Sequence, residues 1–254
     1  MKIILTGLLF VSLALSDELS KAEKEIKIYI DEHTEEAIDM VEKVVNINSG
    51  TLNIAGNKTV GNIFQAELDQ LDFNTYWVTY PETIKRSGHL FAEMRGKGKK
   101  IVLIGHLDTV FEPDSPFQKF TRDGDTAYGP GVSDMKAGDV SMIYVMKALD
   151  NIGVLKDLNL TLVFIGDEEK TGGPPSIVRK ELIEAGKWAN IGLGFEGAHG
   201  MNTGTVARRS SSSWILTTTG IQGHSSQIFK EKLGYGAIFE ATRIVNAFRE
   251  ELVG

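Results

Sequence analysis

The chain has 254 residues, enough for one large domain or for one domain with part of another, and its 42% hydrophobic and 24% charged composition is that of a folded globular protein. A formal charge of −7 argues against nucleic acid or an anionic membrane surface as partner, since both reward a basic face. The absence of cysteine excludes disulfides, thiolate metal sites and cysteine nucleophiles, so any metal must be held by His, Asp and Glu.

Met1 to Ser16 reads as a signal peptide. Lys2 supplies a short positive start, Ile3 to Leu15 is mostly apolar, and Ala14-Leu15-Ser16 puts small residues before a cleavage at Asp17. The apolar run is too short for a membrane span. Export to a periplasm or the medium is expected, with no membrane contact after cleavage. Sequons at Asn57 and Asn159 are too common a pattern to decide anything.

Asp17 to Lys27 is charged and expected to be exposed. Ile26, Ile30, Ala37, Met40, Val41, Val44 and Val45 recur at helical spacing and predict one amphipathic helix ending near Asn46. Val60, Ile63, Phe64 and Leu68 mark a second helix over 60–71. Residues 75–79 and 89–94 read as strands. His89 has no partner in sequence and reads as a surface or strand-edge histidine.

The run Ile101-Val102-Leu103-Ile104 predicts a strand buried on both faces, feeding Gly105-His106-Leu107-Asp108-Thr109-Val110. Strand alternation puts His106 and Asp108 on one side, where a carboxylate can orient a metal-binding imidazole. A loop follows to Gly129-Pro130-Gly131-Val132-Ser133-Asp134, and a helix is expected over 135–149. A second buried strand, 160–166, empties into Asp167-Glu168-Glu169, three acids that repel unless a cation compensates them. Pro174 and Pro175 begin a helix to about Ala185, and a short apolar strand, 191–195, ends on Glu196.

Three strands ending in metal-binding residue types suggest one site, because ligands of open α/β sheets bind beyond the carboxyl ends of the strands. His106, Asp134, Glu169 and Glu196 are expected to converge there. A mixed imidazole and carboxylate set suits zinc, with manganese or cobalt as weaker candidates. A carboxylate shared by two ions would give the two-metal arrangement of many hydrolases and leave Glu168 as general base on water.

On the segments Gly105–Val110, Gly129–Lys136, Asp167–Glu169 and Phe195-Glu196-Gly197 the chain resembles the zinc aminoacylase/carboxypeptidase group, peptidase family M20, and within it the glutamate carboxypeptidase branch. The resemblance runs from about Ala37 to the end. It implies an α/β zinc-exopeptidase fold, a mixed sheet flanked by helices, with the start of an inserted α/β lid used for dimerisation. It also implies two zinc ions: His106, Asp134 and Glu196 on one, Asp134 bridging to a second also bound by Glu169. Asp108 would orient His106, and Glu168 would be the general base and proton shuttle.

The implied domains are a catalytic one over 17–208 and the beginning of the lid over 209–254. In the lid, Gly223-His224-Ser225-Ser226 matches the histidine motif that reaches a partner's active site in dimeric members, making His224 a third catalytic candidate. Ala237, Ile238, Ala241, Ile244, Val245, Phe248 and Leu252 give a helical apolar stripe. Family members continue further, supplying another histidine ligand and an arginine for the substrate carboxylate, so these 254 residues are expected to be a piece that is inactive alone. The expected reaction is hydrolysis of an amide bond next to a free carboxylate, releasing a C-terminal residue such as glutamate. An N-acyl-amino-acid deacylase and an inactive metal-binding fragment stay open beside it. The substrate would be a small peptide or N-acyl amino acid, with no nucleic acid partner.

Overall fold

The computed structural model describes residues 19–198, 200, 203–207, 209, 212–234 and 236–253, so the signal reading on 1–16 lies outside the described residues. The chain divides into a unit of residues 1–201 and a second of 202–254. No described helix is long and apolar enough to cross a membrane.

In the first unit, apolar alternation builds a five-stranded mixed sheet in the order β1 (Asn74–Val78), β2 (His89–Arg95), β6 (Asn159–Ile165), β3 (Lys100–His106) and β7 (Ile191–Gly194). The pairs β1–β2 and β2–β6 are antiparallel, while β6–β3 and β3–β7 are parallel. Side chains alternate across a strand, so one face carries Leu90, Ala92, Leu103, Leu162 and Phe164 and the other Phe91, Val102, Val163 and Ile165. The first face packs on α3 (Ile54–Asp69) through Val60, Phe64 and Leu68, and on α4 (Ala137–Asn151) through Val140, Ile143 and Met146. The second meets Leu182 and Ala185 of α6 (Lys180–Trp188). Each fully buried Leu, Phe or Met contributes about 1.5–3 kcal/mol by leaving water.

The first predicted helix is two: α1 (Lys21–Glu32) and α2 (Thr34–Val45). They separate at His33 (φ −110°, ψ 11°), whose ring stacks on Tyr29 and bonds the Tyr29 carbonyl through Nδ1 at 2.7 Å. The start lies earlier than apolar spacing suggests, because Ser20 and Glu23 form a reciprocal capping box. The predicted helix after Pro174 also divides, at Arg179, into α5 (Pro175–Val178) and α6. The loop after Val110 contains a small hairpin of β4 (Thr121–Asp123) and β5 (Thr126–Tyr128).

His89 corrects the surface reading. It is buried, its Nε2 lies 2.9 Å from the Val178 carbonyl, and its Nδ1 accepts the Gly166 N–H at 3.2 Å. Asn57 is buried as well, its amide donating to the Gly50 carbonyl at 2.9 Å, so that sequon is structural.

In the second unit, residues 217–223 carry neither strand nor helix, and α7 spans Ala237–Leu252. Ile238, Val245, Phe248 and Leu252 are exposed along it.

Candidate metal centre

Strand register assembles the site. In the parallel pairs His106 lies opposite Ile165, and Ile104 lies opposite Gly194. Two residues on from that last pair, His106 and Glu196 stand level at the carboxyl edge, with His106 Nε2 3.6 Å from Glu196 Oε1. Asp134 comes from the turn before α4, which begins at Gly131 with φ +78°, a conformation that favours glycine. Asp134 Oδ1 lies 2.9 Å from His106 Nε2. Ligand atoms of His106, Asp134 and Glu169 all fall within 4.8 Å of one another.

The imidazole is held in one orientation. His106 is buried, and its Nδ1 lies 2.9 Å from the Asp108 backbone carbonyl, an acceptor that requires the proton on Nδ1. That leaves Nε2 aimed at the carboxylates. Burial by itself would lower the His106 pKa, but the charge of Asp108, the hydrogen bond to Asp134 and the charge of Glu196 outweigh it and raise it. A pocket that draws a proton to Nε2 in this way draws a metal cation for the same electrostatic reason. Burial, reinforced by the charge of Asp134, raises the Glu169 carboxyl, with His106 opposing. The donor set of one imidazole and three carboxylates therefore fits a divalent cation of the zinc type.

Asp108 does more than face the histidine. Its carboxylate is fully buried and accepts from Thr51 Oγ1 at 2.6 Å, from the Glu168 N–H at 2.9 Å and from the Glu169 N–H at 3.1 Å. Its Oδ1 lies 3.6 Å from His106 Nδ1, beyond a direct hydrogen bond. The acid expected to orient the imidazole thus touches it mainly through the backbone carbonyl, and its side chain holds the 168–169 segment. Glu168 is exposed at the rim while Asp167 is buried beneath it. His224 belongs to the second unit, exposed, with Nδ1 bonded locally to Ser226 Oγ at 2.9 Å.

Sequence reading missed four supporting residues. Thr51 donates to Asp108 Oδ2, the oxygen that also accepts the Glu169 amide. Lys136 is buried and donates to the Val44 and Ile47 carbonyls at 2.9 and 3.0 Å, tying the Asp134 turn to the end of α2; burial lowers its pKa to about 8. Asp139 is fully buried, and burial raises its carboxyl well above the usual range, with Glu196 and Asp108 adding to the rise and Lys136 opposing it. A Cβ on Gly105 would come within 2.0 Å of Asp139 Oδ1, which explains the glycine before the histidine. Arg179 pairs with Asp167 at 2.5 Å and compensates the first of the three consecutive acids. The Asp-Met-Lys triplet was a visible signal for Lys136, whereas Thr51 lies 57 residues from the carboxylate it bonds.

The sequence pattern of peptidase family M20/M25/M40 matches residues 102–246, more than half the chain. The chain belongs to that family. Carboxypeptidase G2 of Pseudomonas sp. (strain RS-16) is 31% identical over 82% of this chain and 49% of its own length. Succinyl-diaminopimelate desuccinylase of Gluconobacter oxydans is 28% identical over 62% of this chain and 43% of its own length. The chain thus spans less than half of either relative. Human carnosine dipeptidase 1 has the same fold, with a TM-score of 0.56 at 18% identity over 78% of this chain and 43% of that one. M20 enzymes are metal-dependent hydrolases, and the mixed sheet flanked by helices is the fold of their catalytic domains.

Proposed function

We propose that the whole protein is a zinc-dependent exopeptidase that cleaves an amide bond beside a free carboxylate and releases a C-terminal residue such as glutamate. The observation that carries this is the convergence of His106, Asp134, Glu169 and Glu196 on one sheet edge beside exposed Glu168. Likeness to carboxypeptidase G2 supports the substrate class. His106, Asp134 and Glu196 would hold one zinc, and Asp134 with Glu169 a second. Bound there, zinc would polarise the scissile carbonyl and acidify water.

The chain's own residues do the rest. Glu168 takes a proton from the attacking water and returns it to the leaving amine, as a carboxylate at a rim open to solvent can. Asp108 keeps that glutamate aimed by fixing its backbone amide and that of Glu169. His224 of one copy would polarise the carbonyl in the site of another, in a dimer built through the 209–254 region. We also propose export to a periplasm or the medium, with a mature N-terminus at Asp17 readable by N-terminal sequencing.

An N-acyl-amino-acid deacylase is the second reading, favoured by the desuccinylase likeness. The test is hydrolysis by the full natural reading frame, loaded with zinc, of glutamate-terminated dipeptides, N-acyl glutamates and N-succinyl amino acids. Turnover of the peptides, lost on chelation, is expected. Turnover of acyl substrates alone would give the protein to the second reading, and none of either would overturn both.

A further inference from the structure

The segment joining β6 to α5 carries Glu168 and Glu169, yet no helix or sheet ladder holds it. Side chains hold it instead, from two sides. On the metal side the Asp108 carboxylate accepts the Glu168 and Glu169 amides. On the opposite side Arg179 Nη1 donates to Asp167 Oδ1 at 2.5 Å, and Nη2 donates to the Asp167 backbone carbonyl at 2.9 Å and to Thr171 Oγ1 at 3.0 Å. Asp167 Oδ2 accepts the Gly172 N–H at 2.7 Å, closing the turn on itself.

Arg179 therefore grips side chain and main chain of one residue at once, and that residue immediately precedes the glutamates. Asp167 is fully buried and the Arg179 side chain is 18% exposed. A buried ion pair contributes little net stability against an apolar pair of similar size, because desolvation offsets the attraction. Its use here is geometric: the planar fork fixes several acceptors in one orientation, which a lysine's single ammonium cannot do. Its location between α5 and α6 ties the segment to the helical layer under the sheet.

We propose that Arg179 is a positioning residue for the hydrolytic site, setting through Asp167 the direction in which Glu168 and Glu169 leave β6. This rests on the reading of Glu168 as base and Glu169 as ligand. A misplacement of about 1 Å in a catalytic group can lower a rate by about 100-fold, so loosening this grip acts on kcat before it acts on substrate affinity.

The test uses the paired replacement Asp167→Asn with Arg179→Met, which leaves no unpaired buried charge, and Arg179→Lys, which keeps the charge and loses the fork. Two measurements are made on each variant, with Glu168→Gln as control. Amide hydrogen exchange reports local opening; the amides of 168–172 should exchange at least 10-fold faster, while those of β3 and β6 stay as in the unsubstituted chain. In the full natural protein kcat should fall at least 10-fold with KM within twofold. A structural pair would raise exchange throughout and leave no such split. Unchanged exchange at 168–172 in a folded variant would overturn the proposal, and so would an unchanged kcat beside a Glu168→Gln control that has lost at least 100-fold. If Glu168→Gln itself keeps its kcat, the base assignment falls and takes the catalytic half of this proposal with it; exchange still decides the grip. Should the paired variant not fold, Arg179→Lys is decided by the same two readings.

Discussion

Replacing Asp108 tests how much of the site depends on one buried carboxylate. Alanine would remove the acceptor of three donors: Thr51 Oγ1 and the backbone amides of Glu168 and Glu169. The threonine hydroxyl can rotate to another acceptor, but the two amides are fixed by the chain. A hydrogen bond to a charged group contributes about 1.5–3 kcal/mol, so the two amides together account for about 3–6 kcal/mol. Exposure of Glu168 lets water recover part of this, and about 3–5 kcal/mol should be lost. Asparagine keeps one acceptor oxygen and turns an NH2 group against the other donors, so about half that loss is expected. Against a total stability of about 5–15 kcal/mol, the alanine variant is marginal. The assay is urea unfolding of metal-stripped protein, which keeps ion binding out of the comparison. At an m value of about 2 kcal/mol/M the alanine midpoint should fall by about 2 M. An alanine variant within about 1 kcal/mol of the parent would refute the reasoning, as would asparagine and alanine losing equally.

Three other outcomes follow from the same geometry. In the full natural protein Glu168→Gln should lose about 10²–10⁴ in kcat while retaining its metal, as a base does and a ligand does not; metal analysis beside kinetics separates the two. Also in the full natural protein, Asp134→Ala should empty both proposed metal positions, and a variant that still holds two zinc ions per chain by mass spectrometry would end its bridging role. His89 gives a pH signature. Burial holds its pKa below the ordinary value, with the Val178 carbonyl and Asp167 opposing and Arg179 assisting, and Tyr80 packed edge-on to its ring. The unfolded chain then binds a proton near pH 6.5 that the folded chain refuses, so stability falls as pH drops below about 6.5. Urea unfolding between pH 7 and 5 should show a shallower fall for His89→Gln than for the parent, and identical slopes would exclude His89 as the source.

The proposed ligand residues were legible as candidates because each sits where a local pattern changes. Ile101 to Ile104 is apolar without interruption and then meets Gly105-His106, while Leu160 to Ile165 does the same before its acids. A strand buried on both faces leaves few alternatives for the polar residues at its end. The helix break at His33 was hidden because apolar spacing runs through it, and the break comes from backbone torsions that spacing does not record. His89 was misread because its partner carbonyl, Val178, is 89 residues away. Asp108 was read for its neighbour His106, although its carboxylate is engaged by amides some 60 residues on.

By itself the sequence determined the strands of the main sheet and the chemistry of their ends: which residue types could hold a cation, and that no thiolate could. Tertiary structure alone decided which residues meet. The parallel register that sets Glu196 level with His106, the grip of Arg179 on Asp167 and the anchoring of the 168–169 amides by Asp108 are contacts between distant segments. Local preference depends on neighbours along the chain and can be read from them. A buried polar group takes whichever partner the packed layers bring within about 3 Å, and that choice exists only once the layers have closed.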